Sequence, residues 1–368
     1  MSERDRYALG PMQYARINTV LLAFLALCVG GFVLHQLKVV LLPFTVAALF
    51  SVVFEPVIRF LKVRQWPTVL GLIVIFLFLM LLGVLFSLVF TATATAFLDA
   101  LPRYEPRFDA LFDGAIARID AIATRLNLHP PDLDAPVSFT ALTSTARAGV
   151  NTLISFVSNA FLILLFMLFM LMGAGDTNAK LRRVLPAHTA ERIVSAGLNI
   201  GVQMRHYLLT KTIISAVTGV VSFAILWLIG VDFALMWGIL AFLLNFIPNV
   251  GSIVASILPA IWALLQFDTI LQGILVAVFL TATQMTLGNV IEPRVMAFRL
   301  NLSPLLVLVA LIFWGWLWGI WGMILAVPLM SAIKIVLENI EPLRPVAILM
   351  GDAPERSPHR GSRGHSTP

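Results

Sequence analysis

The segment TLGNVIEPRVMAFRLNLSP at residues 286–304 leads into LLVLVALIFWGWLWGIWGMILAVPLMSAI at residues 305–333, which carries no charge at all. An uninterrupted apolar run of eighteen or more residues reads as membrane-embedded. At about 1.5 Å per residue this one extends about 44 Å, more than one upright crossing of a core about 30 Å thick. Four tryptophans (Trp314, Trp316, Trp318, Trp321) and three glycines (Gly315, Gly319, Gly322) interrupt it. Two readings follow, a hairpin bent near residues 316–319 or a single tilted span. The hairpin returns the basic C-terminal tail to the inner face and is the expectation.

The rest of the chain agrees. Hydrophobic residues make up 60% and charged residues 12%, and mean hydropathy is +0.95, which excludes a water-soluble fold. The net charge of +6 comes from basic residues in short loops between apolar runs, so it reads as membrane topology and not as nucleic-acid binding. Cys28 is the single cysteine, so no intrachain disulfide forms. No HExxH, GxSxG, Walker A or GxGxxG motif is present, and no nucleophile is paired with a base. No enzyme, metal or cofactor is expected.

Apolar runs fall at 17–34, 39–61, 69–90, 152–172, 208–229, 233–247, 253–267 and 270–287, with 302–336 last. The first reads as an uncleaved span. Runs 233–247 and 253–267 are short, and read as thin spans or as the arms of a re-entrant hairpin around Pro248. The expected class is an all-α polytopic transmembrane bundle of about eight spans with broken helices and re-entrant hairpins. An inner N-terminus places 19 of the 25 Lys and Arg inside. Residues 1–350 read as one transmembrane domain and 351–368 as a disordered tail.

Two segments are expected outside the bilayer. Phe108, Leu111, Ala115, Ile119, Ile122 and Leu126 give the outer loop 97–149 an amphipathic helix, ended by Pro130-Pro131 and packed over the bundle or a neighbouring subunit. Within 176–207, Ile193, Ala196, Ile200, Met204 and Tyr207 form an apolar stripe, read as a helix along the inner interface that dives at Lys211. Small residues such as Gly71, Gly83 and Gly219 suit helix contacts, and a homo-oligomer is expected.

Ionisable residues in a membrane are functional candidates because burying charge is costly. Glu55 is expected to pair with Arg59 one turn on. Asp232 and Asp268 read as solvated turn residues. The principal polar site is expected at Gln284, Asn289, Glu292, Pro293 and Arg294. There Pro293 removes a backbone donor and breaks the helix, and Glu292 and Arg294 either pair at its end or meet a solute. A second is expected at Asn245, Pro248, Asn249 and Gly251, where Asn249 tolerates unusual backbone angles and Gly251 allows close approach.

Across residues 17–340 these motifs, in this order, resemble the autoinducer-2 exporter family, the PerM-like membrane proteins. The resemblance runs through Leu42-Pro43-Phe44, Pro56 ending the second span, Tyr207-Leu208 and Ile247-Pro248-Asn249-Val250-Gly251 with Pro259. It continues with Asn289-x-x-Glu292-Pro293-Arg294, Pro304, Gly315, Gly319, Gly322 and Ala326-Val327-Pro328. The order Ile312-Phe-Trp-Gly-Trp316 is similar to the autoinducer-2 transport branch, while Glu55 stands where the family usually has Asn. The resemblance implies about eight passes in the bacterial inner membrane and export of a small polar solute. Family members are also linked to cation/proton antiport, for which Glu55 or Glu292 would carry the proton. A non-transporting scaffold is the third reading, against which stand the buried Asn and Gln.

Overall fold

Residues 11–126, 139–295 and 301–351 are described by the computed structural model, and every element among them is helical. In chain order they are α1 (Pro11–Gln36), α2 (Lys38–Val63), α3 (Thr68–Ala100), α4 (Glu105–Arg125), α5 (Phe139–Ser158) and α6 (Ala160–Val184). Then come α7 (Ala187–Ile229), α8 (Ala234–Leu244), α9 (Val250–Gln266), α10 (Ile270–Gln284), a π-helix (Met285–Ile291) and α11 (Glu292–Val295). The last are α12 (Pro304–Trp318), α13 (Ile320–Glu338) and α14 (Arg344–Leu349). Six helical stretches are long and apolar enough to cross a membrane, while α8, α9 and α12 are shorter.

Helix α7 explains much of the architecture. Pro186 precedes it, no proline interrupts its 43 residues, and Gly230 ends it in the left-handed conformation (φ 84°). The Val231 and Gly230 amides bond the Leu226 and Trp227 carbonyls, so the last carbonyls are satisfied. The expected interfacial helix at 176–207 is therefore corrected: its second half is the straight continuation of the membrane helix. The apolar stripe there is buried at Met204 and Tyr207, and a Cβ on Gly201 would sit 3.9 Å from Val52 of α2.

At about 1.5 Å per residue, α8 reaches only about 16 Å and cannot cross. The turn before it is tied to the C-terminal end of α9: the Asp232 amide bonds Gln266 Oε1 (2.7 Å) and Gln266 Nε2 bonds the Gly230 carbonyl (2.9 Å). So α8 and α9 form a re-entrant hairpin with its tip at residues 245–249. Helices α7 and α8 cross with backbones touching, since a Cβ on Gly219 or Gly238 would stand 2.8 or 2.9 Å from the other's carbonyl oxygen.

The last apolar run is the hairpin, not the single span. Ser303 caps α12 through the Leu306 amide, and the chain reverses at Gly319 (φ 68°, ψ −146°), a conformation open to glycine. The far ends then meet: Lys334 Nζ bonds the Asn301 carbonyl at 2.6 Å and the Ser303 amide bonds the Met350 carbonyl at 3.0 Å. The bend is held against α1, with His35 stacked on Trp316 and bonded to the Leu317 carbonyl. Leu164, Met167, Leu244, Ile247, Trp314, Leu317 and Ala326 share one core with α2 and α3.

Other expectations are corrected. Pro56 does not end α2, which holds both Pro43 and Pro56 and continues to Val63. Membrane helices absorb such breaks because neighbours re-satisfy the freed groups. The run 152–172 divides at Asn159 between α5 and α6. Asp232 and Asp268 are exposed turn residues as expected, and each also has a partner: the Tyr104 hydroxyl donates to Asp232 (2.8 Å) and Arg107 pairs with Asp268 (2.6 Å). These contacts and an aromatic cluster of Phe97, Tyr104, Phe233, Trp237 and Trp262 seat the start of the outer helix on the base of the α8–α9 hairpin. Beyond that, Leu111, Ile119, Ile122 and Leu126 are exposed within the chain. Pro130-Pro131 and the expected disordered tail from Asp352 onward lie outside the described residues.

Arg192 near the start of α7 bonds Glu341 and the Asn339 carbonyl, both at 3.3 Å, so α7 begins where α13 ends. In a Cys28→Ser background, cysteines placed at the exposed Val184 and Leu349 are expected to label with an impermeant maleimide from one face, and a cysteine at Asp109 from the other. Labelling of Val184 and Leu349 from opposite faces would contradict the hairpin.

Candidate functional site

Lys211, Ser215, Thr218 and Ser222 recur at spacings of four, three and four, which places them on one face of α7. All four are buried. Thr218 satisfies its proton on the Ile214 carbonyl of its own helix (2.8 Å), but the other contacts reach across the bundle. Asn245, at the hairpin tip and 3% exposed, donates from Nδ2 to Ser215 Oγ (2.9 Å). Ser215 lies about 14 residues, or about 21 Å, from the C-terminal end of α7, and Gln284 lies as far along α10 from its N-terminal end. The Gln284 side chain is buried and its Oε1 has no hydrogen-bond partner among the described residues. A buried acceptor left unpaired costs about 1–3 kcal/mol, so the site carries an unmet demand for a donor.

One to two turns further in lies an ion pair. Lys211 Nζ bonds both carboxylate oxygens of Glu292, at 2.7 and 2.9 Å, with the side chains 6% and 18% exposed. Tyr207, buried one turn before Lys211, lies within electrostatic reach of the same carboxylate. The π-helix explains how Glu292 gets there. Pro293 has no N–H, so the helix register slips, and the Glu292 amide bonds the Leu287 carbonyl five residues back. The wider turn rotates Glu292 toward α7. The expected break at Pro293 is thus corrected, because the chain stays helical through it.

The hairpin tip is as tightly made. Asn249 has φ 59° and ψ −56°, and the Val250 amide bonds the Pro248 carbonyl at 2.7 Å. This is the positive-φ γ-turn, a strained form. Gly251 has ordinary helical backbone, but a Cβ there would fall 1.8 Å from the Leu244 carbonyl oxygen. The tip therefore folds back on the end of α8 with no room for a side chain.

The expected residues divide. Glu292 and Asn245 each reach the polar face of α7, at Lys211 and Ser215, while Gln284 is buried on α10 and Gly251 packs against the end of α8. Asn289 and Arg294 are exposed within the chain, as is Asn249, and Pro248 is half-buried. The expected pairing of Glu292 with Arg294 is overturned, since Lys211 takes that carboxylate. Glu55 pairs with Arg59 at 2.7 Å on an open face. The sequence reading missed Lys211 and Ser215; the four-three-four spacing of polar residues in an apolar run was the available signal. Among the described residues no three His, Cys, Asp or Glu side chains converge on a metal-sized site.

Residues 22–341 match the family described as AI-2E family transporter. Over 220 residues the chain is 39% identical to the AI-2 transport protein TqsA of Escherichia coli (strain K12), covering 60% of this chain and 62% of that protein. It is 37% identical over 227 residues to YhhT of the same strain, covering 61% and 62%. A Haemophilus influenzae protein is 41% identical over 199 residues, covering 53% and 57%. The matched stretch thus spans less than two thirds of each of these relatives.

Proposed function

Because this chain belongs to the AI-2E family of transporters, we propose that it is a secondary transporter that exports a small polar solute across the bacterial inner membrane. Autoinducer-2 is the candidate solute, on the strength of the name of TqsA. The observation that carries this reading is a buried neutral polar set: the bonded Ser215 and Asn245, and Gln284 Oε1, unpaired among the described residues. A hydroxyl-bearing solute satisfies Gln284 as a donor and exchanges with the Asn245–Ser215 bond, at no cost in buried charge. The chain performs no covalent step in this reading. Both termini are inner, and the exposed apolar residues of α4 supply a face for a homo-oligomer. The test is export of labelled autoinducer-2 from proteoliposomes with and without imposed pH and sodium gradients. Saturable, gradient-dependent flux is expected; flux no greater than in protein-free vesicles rejects the reading.

The buried pair favours a second reading, cation/proton antiport. The carboxylate of Glu292 holds one cation, and Lys211 occupies that place. A monovalent cation that takes it obliges the ammonium to release its proton, giving one-for-one exchange without net charge. Since the proton competes with the cation, apparent cation affinity is expected to rise with pH. Glu292, not the exposed Glu55, carries the exchange. A pH-independent cation affinity, or equal loss of exchange in Glu55→Gln, counts against it.

A further inference from the structure

Far from the Lys211–Glu292 pair, α2, α5 and α13 line an open pocket of about 380 Å³. Its wall includes Lys38 and Pro43 of α2, Asn151 and Ser155 of α5, Asn159 at the α5–α6 junction, and Trp321 just past the Gly319 bend. Trp321 stands about 18 residues, or about 27 Å, along α13 from the end that Arg192 holds, so the cavity is at the opposite end of the bundle. The volume falls at the lower end of the range for small-molecule sites.

The hydrogen bonds of the wall define what fits. Ser155 Oγ donates to the Asn151 carbonyl (2.7 Å), Thr152 Oγ1 to that of Ala148 (2.8 Å), and Asn159 Nδ2 to that of Ser155 (2.9 Å). Each hydroxyl thus spends its proton on its own helix and keeps oxygen lone pairs for the cavity, while the amides of Asn159 and Asn151 keep both donor and acceptor capacity. Lys38 supplies the opposite character, and it pairs with no carboxylate among the described residues. An anion would use Lys38 and the amide N–H groups but would face the proton-spent oxygens of Ser155 and Thr152. A cation would meet Lys38. Only a molecule that both donates and accepts at neighbouring atoms uses the whole wall, and hydroxyls on adjacent carbons do so. Pro43, Leu42 and the Trp321 indole complete the site with an apolar side suited to the C–H face of a small ring.

We propose that this cavity is a second, outer binding site for a small cyclic polyol, recognised by Lys38, Ser155, Asn159 and Trp321. The assignment rests on the transport reading for its ligand class, but not for its location. It places a solute station beside the α12–α13 bend, separate from the seam at Gln284.

The test is calorimetric titration of the full chain in lipid nanodiscs with D-ribose as the probe and inorganic phosphate as the anion control. Saturable ribose binding in the millimolar range is expected, as suits a ligand of about ten heavy atoms, with no saturable phosphate binding. Asn159→Leu is expected to weaken ribose binding about tenfold, and Ser155→Ala about threefold. Both positions are exposed within the chain, so folding is spared. Lack of saturable ribose binding, phosphate binding in its place, or binding indifferent to Asn159→Leu would each overturn the proposal. So would binding lost in Gln284→Leu and kept in Asn159→Leu, which puts the ligand at the seam. Binding that depends on Asn159 with no flux in proteoliposomes would reject transport and leave this site standing.

Discussion

Glu292→Gln is expected to lower thermal stability and membrane yield sharply, by about 3–5 kcal/mol, because it strands the Lys211 ammonium inside the bundle. Lys211→Met should cost a similar amount by stranding the carboxylate. The double variant Glu292→Leu with Lys211→Met removes both charges and should recover most of the loss, since a buried pair contributes little beyond an apolar pair of similar volume. Thermal unfolding of the wild type, Glu292→Leu, Lys211→Met and their double variant in one detergent measures the cycle. Additive losses would mean that the pair is not coupled as its geometry requires. The double variant also separates structure from transport. If the pair only holds α7 to α11, the recovered protein should carry solute normally; if it exchanges a cation for a proton, the pH dependence of exchange should vanish. Glu55→Gln serves as the contrast. Its bond to Arg59 is between exposed groups, so its loss should move stability by no more than about 0.5 kcal/mol.

Gly251→Ala is expected to reduce flux at least tenfold while the protein still inserts. The added Cβ would lie 1.8 Å from the Leu244 oxygen, where real contacts are essentially never under 3.0 Å, so the tip must move by more than an ångström. The atom in the way is backbone, and no rotamer change relieves it. That movement pulls Asn245 from Ser215. Asn249→Gly makes the opposite change at the same tip. It relieves a positive-φ turn worth about 1–3 kcal/mol of strain and should raise stability without moving the chain. Normal flux in Gly251→Ala would reduce the tip to a simple turn.

Much of this was legible in the sequence. The uncharged run at 305–333 with its Trp-Gly bend gave the α12–α13 hairpin, because helix length against membrane thickness is simple arithmetic. Pro248 and Gly251 marked the second hairpin for the reasons the backbone bears out, an unusual angle at Asn249 and a close approach at Gly251. The failures have two physical sources. Proline was read as a helix breaker, yet Pro43 and Pro56 sit inside α2, and Pro293 converts α-register to π-register without ending the helix. That slip rotates every later side chain. It turns Glu292 inward and leaves Arg294 exposed, and no count of residues at 3.6 per turn foresees it. Lys211 was counted among the basic residues of an inner loop because its partner is far away in sequence. Spacing reveals local pairs such as Glu55 and Arg59, and stays silent on a contact that only the tertiary fold creates.

Gln284→Leu tests the central claim most directly. It removes a buried acceptor with no partner, so a purely structural residue should become neutral or stabilising when made apolar. Unfolding temperature and autoinducer-2 export would be measured on the same proteoliposome preparation. The account predicts unchanged or raised stability together with at least a tenfold loss of flux; wild-type flux in a stable Gln284→Leu protein would contradict it.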